Sequence, residues 1–227
     1  IKKKFSQFLD RENHKIIYCD NLEINGNLNI FTRYLLEENF AFRSSYLIKI
    51  DLRKNLEILK SEVRKSYRKN LAWSAKNLKI RVFDSKNCNE KIFKEFQDLH
   101  YLAAGRETRN KNSWKIQYNQ IKNNEAVLVG GTMQGSFVTF LFVTYNSHYA
   151  VYSVSASDRD LFDKPLSHGL MWEVIKYLKG KGCKTLEIGE KLYSEKDKKL
   201  LGIDKFKSGF GGEIYTRLEL SHNKKIK

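Results

Sequence analysis

Three apolar runs separated by short turns, residues 126–131, 137–145 and 149–156, constrain this chain more than any other feature. The connections Met133-Gln134-Gly135 and Asn146-Ser147 are too short for a crossover, so each run must fold back on its predecessor as an antiparallel meander. Residues 137–143 are the most apolar stretch of the chain. That length suits a strand and falls well short of a membrane span.

The rest of the pattern is arranged around this meander. Of 13 glycines only Gly26 precedes Gly105, so the first hundred residues read as helices and extended pieces, and the remainder as turn-rich sheet. Residues 1–45 form a weakly patterned extension, and 46–50 a short strand ending at Asp51, a suitable helix N-cap. Leu52, Leu56, Leu59, Val63, Tyr67 and Leu71 then recur at helical spacing, which predicts one long amphipathic helix. Lys54, Lys60, Arg64, Lys65, Arg68 and Lys69 lie on its other faces as a positive ridge. A strand at 78–83 and helices at 90–104 and 114–122 lead into the meander. After it, Pro165 and Ser167 mark a helix start, and Leu170, Val174, Ile175 and Leu178 give that helix its apolar stripe before Gly180 and Gly182 stop it. A strand at 185–188, a short helix at 196–201 and a final strand at 214–220 complete the order.

Composition narrows the class. The 227 residues carry 42 basic against 26 acidic side chains, a formal charge of +16, which favours polyanionic partners such as RNA, phosphorylated cofactors or an anionic membrane surface. Lysine dominates the basic set and Asn is abundant, so compositional bias at surface positions accounts for part of that charge. Three widely spaced cysteines, Cys19, Cys88 and Cys183, argue against a disulfide framework and for a reducing compartment. No histidine pairs with a Cys or a second His at ligand spacing, so no metal is expected. The chain starts IKKKF without Met, and a fragment or processed form is expected.

The order strand, helix, helix, three-strand meander, helix, strand, helix, strand from Leu78 onward resembles the GNAT acyltransferase fold. The segments LRKNLEILKSEVRKSYRKNLAWSAKNLKIRVF, FQDLHYLAAGRETRNKNSWKIQ, YAVYSVSASD, SHGLMWEVIKYLKGKGCKTLEIGE and GIDKFKSGFGGE are similar to its Fem-like branch, which includes peptidoglycan aminoacyltransferases and surface-polysaccharide acyltransferases. The resemblance covers residues 46–220. It implies an α/β (α+β) fold, a mixed, mostly antiparallel sheet flanked by helices that splays to admit an acyl donor. Residues 46–227 would form this domain, and 1–45 an extension or remnant of a first lobe.

The resemblance also implies a site. Lys207, in a Phe-Lys/Phe-Gly motif between Phe206 and Phe210, is implied to stabilise the developing oxyanion or a carrier phosphate. The helix start at Leu166, Ser167, His168 and Gly169 offers backbone N–H groups to a pyrophosphate, with Asp158 ending the preceding strand nearby. Asp158-Arg159-Asp160 and Ser167-His168-Gly169 stand where the usual acyl-CoA loop carries Gln or Arg and spaced glycines. His168 and Glu107 are candidates to take the amine proton. Tyr152, Ser153 and Ser155 should line the splay, and Glu187 and Glu190 flank the LEIGE strand end, where one of them would orient Lys207 or the acceptor. Arg106, Arg109, Trp114 and Gln117 suit an anionic, sugar-bearing acceptor.

Acyl-CoA, acetyl-CoA foremost, is the expected donor, and an amino group of a cell-envelope sugar or nucleotide-sugar precursor the expected acceptor. The alternatives are an aminoacyl-tRNA-dependent transferase and a non-catalytic nucleic-acid-binding or scaffold protein. The expected place is the cytoplasm, extending to peripheral contact at the inner face of the membrane.

Overall fold

A computed structural model describes residues 16–22, 27–193 and 196–222. Eight strands and seven helices alternate among these residues. They are β1 (Ile16–Asn21), α1 (Ile30–Glu37), β2 (Ala41–Asp51), α2 (Leu56–Glu62), α3 (Lys65–Asn77), β3 (Lys79–Phe83), α4 (Glu90–Ala104) and α5 (Lys111–Lys122). β4 (Ala126–Met133), β5 (Ser136–Tyr145), β6 (Tyr149–Ser157), α6 (Leu166–Gly180), β7 (Thr185–Glu190), α7 (Lys198–Lys207) and β8 (Glu213–His222) follow.

Local chemistry sets the helix ends. Asn29, Asn55, Asn89 and Asn110 each accept a hydrogen bond from a first-turn N–H of the helix that follows, and Asp197 does the same for α7. Gly105 closes α4 in the left-handed conformation at φ 69°. The single helix expected from Leu52 is instead two. The chain is extended at Val63 and Arg64 (ψ 129° and 135°), because Val63 is buried in the core and the Arg64 N–H bonds the Gly209 carbonyl rather than its own helix. Asp51 ends β2, Leu52 lies in the turn that follows, and Asn55 is the cap.

All strands join one sheet in the order β1-β8-β2-β7-β6-β5-β4-β3. The expected β4–β5–β6 meander is present, and every pairing is antiparallel except β6 with β7. β2 lies between β7 and β8, so the boundary drawn at residues 45 and 46 falls inside a strand, and β1 and β2 complete the same sheet. Residues 1–15 of the expected extension lie outside the described residues.

Strand alternation buries both faces. One carries Ile50, Val127, Val129, Leu141, Val143, Ala150, Leu186 and Ile188 against α2, α3 and α6. The other carries Leu128, Phe140, Phe142, Val154 and Ala156 against α4 and α5.

Candidate functional site

β6 and β7 part almost as soon as they meet. Tyr149, Ala150 and Val151 pair with Thr185, Leu186 and Glu187, and there the parallel ladder ends. Next on β6 comes a register shift against β5: Phe142 pairs with Val154 but Val143 with Tyr152, which leaves Ser153 as the extra residue of a bulge. The remainder of each strand keeps its outer partner and loses the one facing the gap. That opening presents backbone donors and acceptors without ladder partners, the arrangement needed to hold an extended ligand between strands. Tyr152 is partly buried beside it, with its phenol pKa raised by burial, and Ser153 and Ser155 are exposed.

Lys207 reaches the β7 side of this gap. It is the last residue of α7, not part of a glycine turn, because the helix extends six residues past the expected 201 before a 3-10 turn at Ser208–Phe210. Its side chain crosses Gly189, where φ is +119° and an added Cβ would lie 2.6 Å from Nζ. Burial holds the ammonium below the ordinary lysine value, opposed by Glu190, Asp204 and Glu187. No carboxylate among the described residues comes within ion-pair distance of it. Buried Asp204 anchors α7 to the end of β7, accepting from the Leu192 N–H at 3.0 Å and from Lys191 Nζ at 2.5 Å.

His168 lies elsewhere. Tyr67, Phe206 and Phe210 enclose its ring at centroid distances of 4.4, 5.2 and 6.0 Å, Nε2 meets the Asn70 amide at 3.1 Å, and Nδ1 is buried without a partner. Burial pushes its pKa down to about 4, against a smaller opposing effect of the Pro165 carbonyl. The imidazole is therefore neutral at pH 7 and partly buried, packed against three aromatic rings. Phe206 and Phe210 serve as walls of that aromatic cage.

At the helix start expected to cradle a pyrophosphate, three of the four N–H groups are engaged within the chain. The Leu166 N–H bonds the Lys164 carbonyl, that of His168 bonds the Pro165 carbonyl, and that of Gly169 bonds Ser74 Oγ. Gly169 does allow a close approach, but by α3: an added Cβ would lie 2.5 Å from Ser74 Cβ. In the preceding connection the N–H groups of Asp158, Leu161, Phe162 and Lys164 bond carbonyls, and that of Asp160 bonds the Asp158 carboxylate. Ser167 Oγ turns to Thr139 and Ser157 at 3.4 and 3.2 Å.

The proposed acceptor residues divide. Arg106 and Glu107 are exposed in the α4–α5 connection. Arg109 contacts His100 Nε2 at 2.8 Å and stacks over Trp114 at 5.4 Å, while Trp114 is in the core with Nε1 unpartnered. Gln117 Oε1 is likewise buried without a partner. Glu190 lies at the gap and faces Arg217 at 3.5 Å. Gly189, Asp204 and Asn70 escaped the sequence reading. Of these only Gly189 left a signal, a lone glycine ending the apolar LEI run. Among the described residues no group of three His, Cys, Asp or Glu side chains is placed to hold a metal, and no helix is long and apolar enough to cross a membrane.

No protein-family model and no curated protein matches the sequence. Solved structures do match the fold. The structure of FemX superposes with a TM-score of 0.75 at 13% identity, over 98% of this chain and 77% of that one. L-PGS from Bacillus licheniformis gives 0.67 at 11% identity, over 98% and 72%. The fold is that of the Fem-like GNAT proteins. The C-terminal domain of a putative lysylphosphatidylglycerol synthetase from Agrobacterium fabrum shares it at a TM-score of 0.62 and 14% identity, over 84% of this chain. The chain spans 64% of that domain's length. Within this fold, the strand separation and the α7 lysine lie at the middle of the sheet, beside the parallel pair.

Proposed function

We propose that this chain is an acyltransferase that moves an aminoacyl group from an aminoacyl-tRNA to an amino group of a cell-envelope acceptor. The observation that carries this reading is Lys207, an ammonium with no ion pair among the described residues, held over Gly189 where β6 leaves β7. The amine nitrogen attacks the ester carbonyl, and its electron pair forms the C–N bond as the carbonyl pair moves onto oxygen. Lys207 stabilises that oxyanion. On collapse the C–O ester bond breaks, the leaving ribose oxygen takes a proton from Lys207, and Lys207 regains one from the nitrogen. The products are an amide and a free hydroxyl. Partial desolvation suits this work, because it lowers the lysine pKa towards the operating pH.

Two observations favour RNA over acyl-CoA as the donor. The connection from β6 to α6 spends most of its N–H groups internally, and its Asp158, Asp160 and Asp163 outnumber Arg159 and Lys164, which makes it a weak setting for a pyrophosphate. Exposed Lys65, Arg68, Lys69 and Lys76 on α3 and Lys79 and Arg81 on β3 supply the positive surface that RNA requires.

The test is to incubate the purified chain with labelled aminoacyl-tRNA or labelled acetyl-CoA and amine-bearing envelope precursors. Amide formation from the RNA ester alone, reduced about 100-fold or more by Lys207→Ala, is expected. Turnover of acetyl-CoA with none of the RNA ester would reverse the donor assignment, and an undiminished rate in Lys207→Ala would remove the lysine from the chemistry.

A further inference from the structure

A second unpaired ammonium lies across the sheet from α6. Lys49 on β2 is 8% exposed, and in register it stands between two carboxylates, Glu187 on β7 and Glu213 on β8. Neither pairs with it. Tyr149 donates to Glu187 at 2.5 Å and Tyr215 to Glu213 at 3.3 Å, and each tyrosine turns its ring to Lys49, with Nζ 5.3 and 4.9 Å from the centroids. Each phenol thus engages one carboxylate through its hydroxyl and the lysine through its ring face. Burial lowers the Lys49 pKa, Glu187 opposes that effect and Arg217 adds to it.

Arg217 shares this face, with contacts of 3.7 Å to Glu187 and 3.5 Å to Glu190, both longer than a direct charged hydrogen bond. The Lys49 side chain is largely buried, and its ammonium lies against two ring faces with no carboxylate among the described residues in direct ion-pair contact, so an incoming anion would offset the cost of holding it there. The position of the cluster says which anion. Glu187 is the last β7 residue paired with β6, and it lies within electrostatic reach of both Lys49 and Lys207. From the β7 position opposite Lys49, Gly189 is two residues further on, about 7 Å along a strand.

We infer that Lys49 and Arg217 form an anion subsite for the acceptor, which binds amines bearing a carboxylate or phosphate about 7 Å from the nucleophilic nitrogen. This rests on the acyl-transfer reading for its purpose, not for its measurement. Short α-amino acids cannot span the two positions. An extended ω-amino acid or an amine on the side chain of a peptide can.

The experiment is calorimetric titration of the intact chain, with no donor present, by 6-aminohexanoate, 6-aminohexyl phosphate, hexylamine and glycine. Both ω-amino anions should bind at least about tenfold more tightly than hexylamine or glycine. Lys49→Met should remove that advantage and Lys49→Arg restore most of it, with Arg217→Gln as an independent loss should the Met variant fail to fold. Preference for one of the two anions would name the group recognised. Equal binding of hexylamine, or an unchanged preference in Lys49→Met, would overturn the subsite. Since no donor is used, failure here is distinguishable from failure of the transfer reaction, which is read by amide formation.

Discussion

Gly189 exists to leave room for Lys207: a Cβ at this position would sit 2.6 Å from the lysine Nζ and 3.2 Å from its Cε, on a backbone at φ +119°. The glycine at the end of β7 and the lysine at the end of α7 therefore act as one unit, the first setting where the second can place its charge.

Gly189→Ala should lower turnover about as far as Lys207→Ala does, at a stability cost of about 1–3 kcal/mol from the strained φ. Added to Lys207→Ala, it should cost no further turnover, because the residue it displaces is gone. Initial rates and thermal melts of the two single variants and the double variant measure the coupling; additive rate losses would mean that the glycine acts independently of the lysine.

Gly169→Ala tests the other close approach. Its Cβ would meet Ser74 Cβ at 2.5 Å and Ile80 Cδ1 at 2.8 Å, forcing α6 away from α3 and β3. A loss of about 1–3 kcal/mol is expected, recovered in part by Ser74→Gly. Donor KM at a permissive temperature should not move. A raised KM with an unchanged melting temperature would instead restore this turn as a carrier cradle.

His168 makes stability depend on acid. Its folded pKa of about 4 lies below the ordinary 6.5, so the unfolded chain binds the proton first. The contribution is complete above about pH 6.5 and is lost as pH falls towards 4, on the order of 3 kcal/mol in all. His168→Phe, which keeps an aromatic ring in the cage, should flatten stability between pH 7 and pH 4.5, as read by urea midpoints. An identical pH slope in both proteins would show that the cage is not the acid-sensitive element.

Much of the fold was legible because it is written in local terms. α4 runs over the predicted residues 90–104, since Asn89, Gly105 and the Phe93, Phe96, Leu99 spacing are all local signals. The β4–β5–β6 meander follows from two short turns. The site was legible only in part. Lys207 was singled out by the resemblance of its Phe-Lys/Phe-Gly motif, but its helix was set too short, because α7 is held by Asp204 reaching Lys191 and Leu192 across a connection that carries no pattern. His168 beside Gly169 resembled a phosphate turn because small residues permit close approach, and sequence does not say by what; at Gly169 it is α3 and β3 that approach.

By itself the sequence determined the order of elements from β3 onward, the meander and the basic surface, since periodicity, capping and turn length act within a few residues. Only the tertiary structure decided that β2 enters between β7 and β8, that the long helix breaks where Arg64 meets Gly209, and that Lys49 and Lys207 stay unpaired around Glu187. Those outcomes depend on which distant groups compete for one hydrogen bond or one carboxylate, and that competition exists only once the sheet has formed.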